Sequence, residues 1–170
     1  YLPLLVEYEE RYYAAGKIFG SRFIRRESRP SEEATLTGRL IDRAIRPRFD
    51  QRIRNEIQVV ITVLSIDETH DPDVPALMGA SLALATSDIP WHGPVAGVRV
   101  GKTDAGFTLN PTFAEREAGQ LDLFVAGTRE RINMVEAGAK ELPEAELVGA
   151  LGAGFDAIRE LIAFQDEIIT

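Results

Sequence analysis

The sequence predicts an α+β fold in which a mixed β-sheet packs against α-helices. Two observations lead to this class. Short apolar runs bounded by turn residues alternate with longer stretches whose apolar residues recur at helical spacing. The chain has 170 residues, 45% of them hydrophobic and 27% charged, which suits one globular domain with its own core.

The first half of the sequence contains two predicted strands. Leu2 to Tyr8 is an apolar run that predicts a strand, and Ala14 to Arg29 is expected to be a loop because it lacks periodicity. Asn55 to Ser65 is β-branched and apolar on both faces, which is typical of a strand covered from two sides. We therefore expect this second strand at the centre of the sheet.

Two helices are expected in the same half. Ser31 precedes two glutamates, and a hydroxyl at this position can cap a helix whose positive end favours carboxylates. This helix should run to about Ile45 and end before Pro47, because the residue that precedes a proline disfavours helical backbone. A second helix is predicted for Asp73 to Ser87, where several small residues allow another element to approach closely.

The second half should consist of four short strands followed by a helix. Turn residues separate the strands, which are expected at residues 93–101, 106–110, 121–126 and 131–137. The final helix should begin near Pro143. Its helically spaced apolar residues are Leu147, Leu151, Phe155, Ile158 and Ile162.

Composition excludes several kinds of site. The sequence contains no cysteine, which rules out disulfides, thiolate metal sites and cysteine nucleophiles and fits an intracellular protein. No apolar run approaches the roughly 20 residues of a membrane helix. The sequence begins at Tyr1 rather than methionine, so we expect a fragment of a longer protein that is soluble, cytoplasmic and without membrane contact.

The charge is distributed unevenly along the sequence. The net charge is −8, yet residues 17–54 carry eleven Lys/Arg against five Asp/Glu, a local +6 that leaves −14 on the remainder. A concentrated basic stretch on an otherwise acidic domain is the pattern expected of a site that contacts phosphate groups.

Three arginines of the first predicted helix stand on one of its faces. Arg39, Arg43 and Arg46 follow the spacing i, i+4 and i+7, which places their guanidinium groups side by side. Guanidinium groups bind phosphate oxygens and stack on bases, and a phenylalanine ring can also stack. The loop before the helix adds Phe23, Arg25, Arg26 and Arg29.

Spacing alone leaves a second interpretation of these arginines open. They could form an ordinary solvated helix face, paired with nearby carboxylates. The candidate partners are Glu27, Glu32, Glu33 and Asp42.

The other candidate motifs favour structure over chemistry. The acidic run from Asp67 to Asp73 could pass for a metal loop, but Pro72 and the missing turn glycine favour a connecting loop that leads into a helix. His70 and His92 have no cysteine or obvious serine partner, so a hydrolase triad finds no support. The glycines form neither a dinucleotide-binding nor a P-loop pattern.

The run from Tyr12 to Phe49, YYAAGKIFGSRFIRRESRPSEEATLTGRLIDRAIRPRF, resembles the first core domain of polynucleotide phosphorylases, the polyribonucleotide nucleotidyltransferases. That domain carries an AAG-[KR]-IPG segment, an FFRR loop, GRPSE and RLIDRPIRPLF, and the run from Tyr12 to Phe49 is similar to all four. The match continues in order through NEIQVVITVLS, DPDVPALMGAS, GPVAGVRVG, LNPT, LDLFVAGT and MVEAGAKEL. The resemblance therefore extends over almost the whole chain.

The resemblance implies a ribonuclease PH core, a ribosomal protein S5 domain 2-like fold, that lacks its N-terminal strands. Residues 1–142 would be the partial first core, and residues 143–170 its C-terminal helix, leading toward a linker. Such enzymes degrade RNA from the 3′ end in mRNA degradation, using phosphate to release nucleoside diphosphates, in a reversible reaction. The resemblance further implies a homotrimer around single-stranded RNA, with Mg²⁺ or Mn²⁺ in the second core. It implies no cofactor in this fragment.

The resemblance also assigns roles to individual residues. The RNA-contacting positions would be Phe23, Arg25, Arg26, Arg29, Arg39, Arg43 and Arg46. No catalytic or metal-binding residue is expected. Asp71-Pro72-Asp73 stands where the active second core has a serine-rich phosphate loop, and Phe124 and Arg116 replace a lysine and an acid, which leaves Asp122 in a structural role. The alternative is a scaffold or RNA-binding subunit of an exosome-like ring.

Overall fold

The computed structural model describes residues 2–18, 20, 29–104 and 106–169. Phe23, Arg25 and Arg26, three of the predicted RNA-binding residues, lie outside this part of the chain. The described residues form six strands, four α-helices and two short 3₁₀ turns, Tyr12–Ala15 and Arg46–Arg48. In chain order the elements are β1 (Leu4–Glu10), α1 (Glu32–Ile45), β2 (Ile57–Val63), α2 (Asp73–Ala85), β3 (Ala96–Thr103), β4 (Gly106–Leu109), α3 (Phe113–Ala118), β5 (Leu121–Gly127), β6 (Ile132–Ala139) and α4 (Glu144–Ile169).

The predicted α+β class is confirmed, but the described strands are divided between two sheets instead of forming one mixed sheet. β1 and β2 pair in parallel through a crossover that contains α1. The other strands form an antiparallel sheet in the order β4-β3-β5-β6. The sheets stay separate because α1 and α2 pack between them, α1 against β1 and β6, and α2 against β2 and β3.

Two hydrophobic clusters cover opposite faces of the antiparallel sheet. Val98, Val100 and Leu123 face α4, together with Ile158 and Ile162 of that helix. On the other face, side chains of β5 and β6 join the core formed by α1, α2 and the parallel sheet; they are Phe124, Ala126 and Met134. The central strands β3 and β5 are thus buried on both faces, whereas β4 and much of β6 remain exposed.

The second predicted strand differs from the structure. Asn55 to Ser65 was expected at the sheet centre with both faces covered, whereas β2 pairs with β1 alone among the described strands. Its burial alternates, with Val59 buried and Val60 52% exposed. The prediction of two-sided burial was therefore wrong, because in the described chain α2 covers one face of this sheet and no element covers the other.

The helices follow the predicted bounds closely, with one addition. Ser31 caps α1, and its side chain accepts a hydrogen bond of 2.9 Å from the Ala34 amide. The short helix α3 was not predicted, although Thr112 and Glu115 form a complete capping box at its start. In α4, Ile158 and Ile162 are buried as expected.

Candidate functional site

Helix α1 positions the predicted arginines because its apolar residues determine which side faces the core. Leu40, Ile41, Ala44 and Ile45 are all buried, so the opposite side of the helix faces solvent. Arg39 and Arg43 are exposed on that side, whereas Arg46 is half-buried at its C-terminal end.

Of Arg39, Arg43 and Arg46, Arg39 is the most available to a ligand. It is exposed and has no hydrogen-bond or ion-pair partner within the described part of the chain. Its side chain lies at the rim of a groove of about 330 Å³ between α1 and β1. The two elements are in contact at Gly38, where a Cβ would lie at an ordinary van der Waals distance of 3.6 Å from the Val6 carbonyl oxygen. Arg29, just before the helix, is likewise exposed.

Arg43 has a partner on β6, the strand that packs against α1. Its Nη1 lies 3.3 Å from Oε2 of Glu136 on β6, 93 residues further along the chain. Both side chains are more than half exposed, so the ion pair is open to water. An ion pair of this kind is screened and contributes little to stability.

Arg46 is occupied by the protein itself. Its guanidinium donates to both oxygens of Asp42, at 2.8 and 2.6 Å, as the solvated-face interpretation foresaw for Asp42. It also donates to the carbonyl oxygens of Leu2, at 3.4 Å, and Leu4, at 2.9 Å. These contacts tie the end of α1 to the start of β1. The structure therefore places Arg39 and Arg43 on the open surface and gives Arg46 structural partners.

An acidic cleft of about 590 Å³ lies on the other side of α1. It is lined by residues of α1, the segment before α2, α3 and strands β1, β3, β5 and β6. Among its described lining residues six are carboxylates, and two are the guanidinium groups of Arg99 and Arg116. The carboxylates are Glu10, Glu33, Asp71, Glu117, Asp122 and Glu136.

The two arginines of the cleft are bound to its aspartates in a continuous network. Arg116 donates to Asp71 at 2.9 Å and to Asp122 at 2.7 Å. Arg99 donates to the other oxygen of Asp122 at 2.7 Å and to Asp73. The network thus joins the start of α2, the end of α3 and strands β3 and β5.

The pKa values of two of these aspartates are shifted in opposite directions, although burial acts to raise both. Desolvation raises the pKa of Asp73 from 3.8 to about 6, even though the Arg99 guanidinium acts against the rise. Desolvation also acts to raise the pKa of Asp122, but hydrogen bonds from Arg99 and Arg116 outweigh it and hold that pKa below 3.8.

This arrangement is poorly suited to holding phosphate. The cleft carries more carboxylates than guanidinium groups, and both guanidinium groups already bind carboxylates. Within the described residues, no group of three or more His, Asp or Glu side chains could hold a metal ion. Asp71 and Asp73, which stand where the family's active core has its phosphate loop, are ion-pair partners here.

Sequence reasoning missed the partners in this network and the partner of Arg43. Arg99 sits in the apolar strand β3, and nothing in the alternation of that strand reveals that Asp73 lies opposite it. Glu136 carries no local signal that connects it to α1. For α3 a signal was present, since Thr112-Phe113-Ala114-Glu115 matches the capping-box pattern and would have placed Arg116 on a helix.

The acidic run before α2 behaves as a connecting loop. Asp67 accepts hydrogen bonds of 2.9 Å from the backbone amides of Thr69 and His70, a turn that folds the run on itself. The His70 ring nitrogen Nδ1 lies 2.5 Å from the same carboxylate.

Two models of one protein family match the chain, each over a different part of it. The model of the 3′ exoribonuclease family, domain 1, matches residues 2–90, and that of domain 2 of the same family matches residues 93–157. Together the two matches span all the described strands of both sheets and part of α4.

Individual relatives are similar along the full chain. The polyribonucleotide nucleotidyltransferase of Enterococcus faecalis is 56% identical over 169 residues, which are 99% of this chain and 24% of that protein. That of Streptococcus agalactiae is 57% identical over 170 residues, 100% of the chain and 24% of the relative. That of Lactococcus lactis is 57% identical over 169 residues, 99% of the chain and 22% of the relative. The chain thus spans about a quarter of the length of these relatives, and the resemblance inferred from its motifs is confirmed.

Proposed function

The chain belongs to the 3′ exoribonuclease family, and on that premise we propose that it binds and orients single-stranded RNA within a polyribonucleotide nucleotidyltransferase whose catalytic site lies elsewhere. The observation that carries the proposal is the exposed face of α1. Arg39 is unpaired within the described residues and lies at the rim of a groove, with Arg43 one turn further along.

Charge and geometry support the RNA-binding half of the proposal. Arg29, Arg39 and Arg43 are exposed on one stretch of chain that also carries the predicted contacts Phe23, Arg25 and Arg26. Phosphate contacts made by arginine are electrostatic and release counterions, so such a face can bind RNA without recognising sequence. Arg46 would act indirectly, by anchoring the end of α1 to β1.

The acidic cleft supports the non-catalytic half. A phosphorolytic site must attract inorganic phosphate, and preorganised donors are the usual means. Here the two guanidinium groups of the cleft, those of Arg99 and Arg116, are engaged by Asp71, Asp73 and Asp122.

The activity of the whole protein follows from the relatives as a further part of the proposal. It would degrade RNA from the 3′ end with inorganic phosphate, release nucleoside diphosphates and take part in mRNA degradation. It would act in the cytoplasm as a homotrimer, with Mg²⁺ or Mn²⁺ bound outside this chain. No helix among the described residues combines the length and apolarity that a membrane crossing needs.

Replacement of both exposed arginines in the full-length protein tests the RNA-binding half. The variant Arg39→Ala with Arg43→Ala should bind single-stranded RNA on the order of tenfold more weakly, because two charge-assisted contacts are lost. The slope of log affinity against log salt should become shallower by about 0.7 to 1.4, since each phosphate contact on a single strand contributes about 0.7 and the contact of Arg43 contributes less where Glu136 already pairs with it. Both quantities can be measured by fluorescence anisotropy over a range of salt concentrations.

Arg131→Ala is the matched control. Arg131 is an exposed arginine whose ion-pair partner is its neighbour Glu130, at 3.8 Å, and its removal should leave RNA affinity unchanged. Equal affinity of the double variant and the wild-type protein would refute RNA binding by α1. Phosphate-dependent release of nucleoside diphosphates by residues 1–170 alone would refute the non-catalytic role.

A further inference from the structure

Glu136 stands where it can compete with RNA for one of the α1 arginines. On β6 it lies opposite Phe124 of β5, whose other neighbour in the sheet is Arg99, so its side chain belongs to the row that faces the helices. A second contact holds β6 against α1, since the Asn133 side chain donates to the Ala44 carbonyl at 2.9 Å. Glu136 is therefore held within reach of Arg43 by the fold.

The Arg43–Glu136 contact has the character of a pair that can be exchanged. The two side chains are 57% and 60% exposed and meet at 3.3 Å, a single contact open to water. A carboxylate offers the same kind of charged oxygen that a phosphate offers to a guanidinium group. Arg39, one turn earlier on α1, has no such partner in the described chain. The fold thus pairs one of the two exposed arginines and leaves the other open.

Resting on the proposed function, we propose that Glu136 is a built-in competitor of RNA that occupies Arg43 whenever no phosphate does, and so lowers the strength of RNA binding at this face. An incoming phosphate group must displace the carboxylate from Arg43, whereas at Arg39 no residue of the described chain competes for the guanidinium group. The chain can therefore release its substrate more readily than two open arginines would allow.

Glu136 also marks the boundary between the arginine face and the acidic cleft. It lines the cleft together with Glu33 and Glu117, and its charge adds to the repulsion that a phosphate would meet there. RNA should therefore follow α1 on the side of Arg39 and the groove next to β1. In the cleft, the aspartates would stay in their ion pairs with arginine, and RNA would not bind there.

The substitution Glu136→Gln in the full-length protein tests this inference. It keeps the shape of the side chain and removes the charge, so RNA affinity should rise about two- to fivefold, the range expected for an exposed ion pair. The slope of log affinity against log salt should steepen by up to about 0.7. In the variant, an RNA phosphate that binds Arg43 displaces a counterion from solution instead of the Glu136 carboxylate. In a protein that already carries Arg43→Ala, the same substitution should change neither quantity.

Glu130→Gln is the matched control, since it removes the same charge from an exposed glutamate at the β5–β6 turn whose ion-pair partner is its neighbour Arg131. It should leave RNA binding as it is. The inference is overturned if Glu136→Gln leaves affinity unchanged, or raises it equally with and without Arg43. Thermal unfolding of each variant confirms that the comparison is between folded proteins.

Failure of this inference can be told apart from failure of the proposed function. If Arg39→Ala with Arg43→Ala weakens RNA binding while Glu136→Gln has no effect, the inference alone is lost. If the arginine substitutions have no effect either, the RNA-binding proposal is lost with it. The single variants test the difference between the two arginines. Arg39→Ala should weaken RNA binding more than Arg43→Ala, because RNA must displace Glu136 before it gains the contact with Arg43.

Discussion

Asp73 is among the most deeply buried charged residues of the described chain, and this burial explains its raised pKa. It is 1% exposed at the first position of α2, where the Arg99 guanidinium and the Val74 amide both donate to it. Arg99 in turn packs over the Phe124 ring, with its Cζ 5.5 Å from the ring centroid. A buried charge pair of this kind carries a large desolvation cost, and removal of one partner would leave an uncompensated buried charge.

The raised pKa of Asp73 predicts a dependence of stability on pH. In the folded protein its pKa is about 6, against 3.8 when exposed, so between these values the folded state binds more protons than the unfolded state. This group therefore makes the free energy of unfolding fall as pH rises from about 4 to about 6, with no further change above that range. Asp73→Asn should remove this part of the slope, which urea denaturation at a series of pH values would measure.

Asp88→Asn serves as the control for that measurement, because Asp88 is exposed at the end of α2. Its replacement should preserve the wild-type slope between pH ~4 and ~6. Identical slopes for wild type and Asp73→Asn would show that Asp73 does not take up its proton in this window.

At the scale of elements, α4 lies against the antiparallel sheet through small residues. A Cβ added at Gly154 would lie 2.5 Å from Cγ1 of Val125 and 3.1 Å from Cγ2 of Val100. At Gly152, half a turn away, nothing lies within 4 Å of the same atom. Gly154 therefore allows the helix to approach the sheet closely, whereas Gly152 faces open space.

This contrast predicts opposite effects of the same substitution. Gly154→Ala should destabilise the protein by about 1–3 kcal/mol, because the methyl group overpacks the contact with β3 and β5. Gly152→Ala should stabilise it by up to about 1 kcal/mol, because alanine has the higher helix propensity and the site is open. The free energy of unfolding from urea denaturation distinguishes them, and a stabilising Gly154→Ala would mean that α4 can move away from the sheet at little cost.

At the scale of the whole molecule, one buried polar junction joins the two hydrophobic clusters. The Ser81 hydroxyl donates to Oε1 of Gln165 at 2.7 Å and accepts from the Val95 amide at 2.9 Å. Nε2 of Gln165 completes the set by donating to the Val95 carbonyl at 3.1 Å. Ser81 and Gln165 are fully buried, so α2, α4 and the chain entering β3 meet in a closed network without water access.

Gln165→Leu should test how much this junction contributes. The substitution keeps the volume roughly constant but leaves the Val95 carbonyl without its donor, which should cost about 1–3 kcal/mol of unfolding free energy. Gln120→Leu, at an exposed glutamine, should change stability by no more than about 0.5 kcal/mol. Equal effects of the two substitutions in urea denaturation would mean that water replaces the lost bond and that the clusters are not joined here.

Much of the fold was predictable from local signals. The Ser31 cap and Pro47 bracket α1, and the apolar runs separated by turn residues correspond to β3, β5 and β6. The burial of β2 was not predictable, because its apolar composition is the same whether one face or both are covered. Such coverage depends on elements distant in sequence.

By itself the sequence determined that Arg39, Arg43 and Arg46 share a side of α1, because helical periodicity and the buried apolar stripe leave no other arrangement. It also made the Asp42–Arg46 pair accessible to prediction, since these residues stand four apart on one helix. Only the tertiary structure decided which arginine stays open. Glu136 reaches Arg43 across 93 residues of sequence, and the carbonyls of the first strand reach Arg46 across more than 40. Contacts over such separations arise from the packing of whole elements, which leaves no trace in the local spacing of residues.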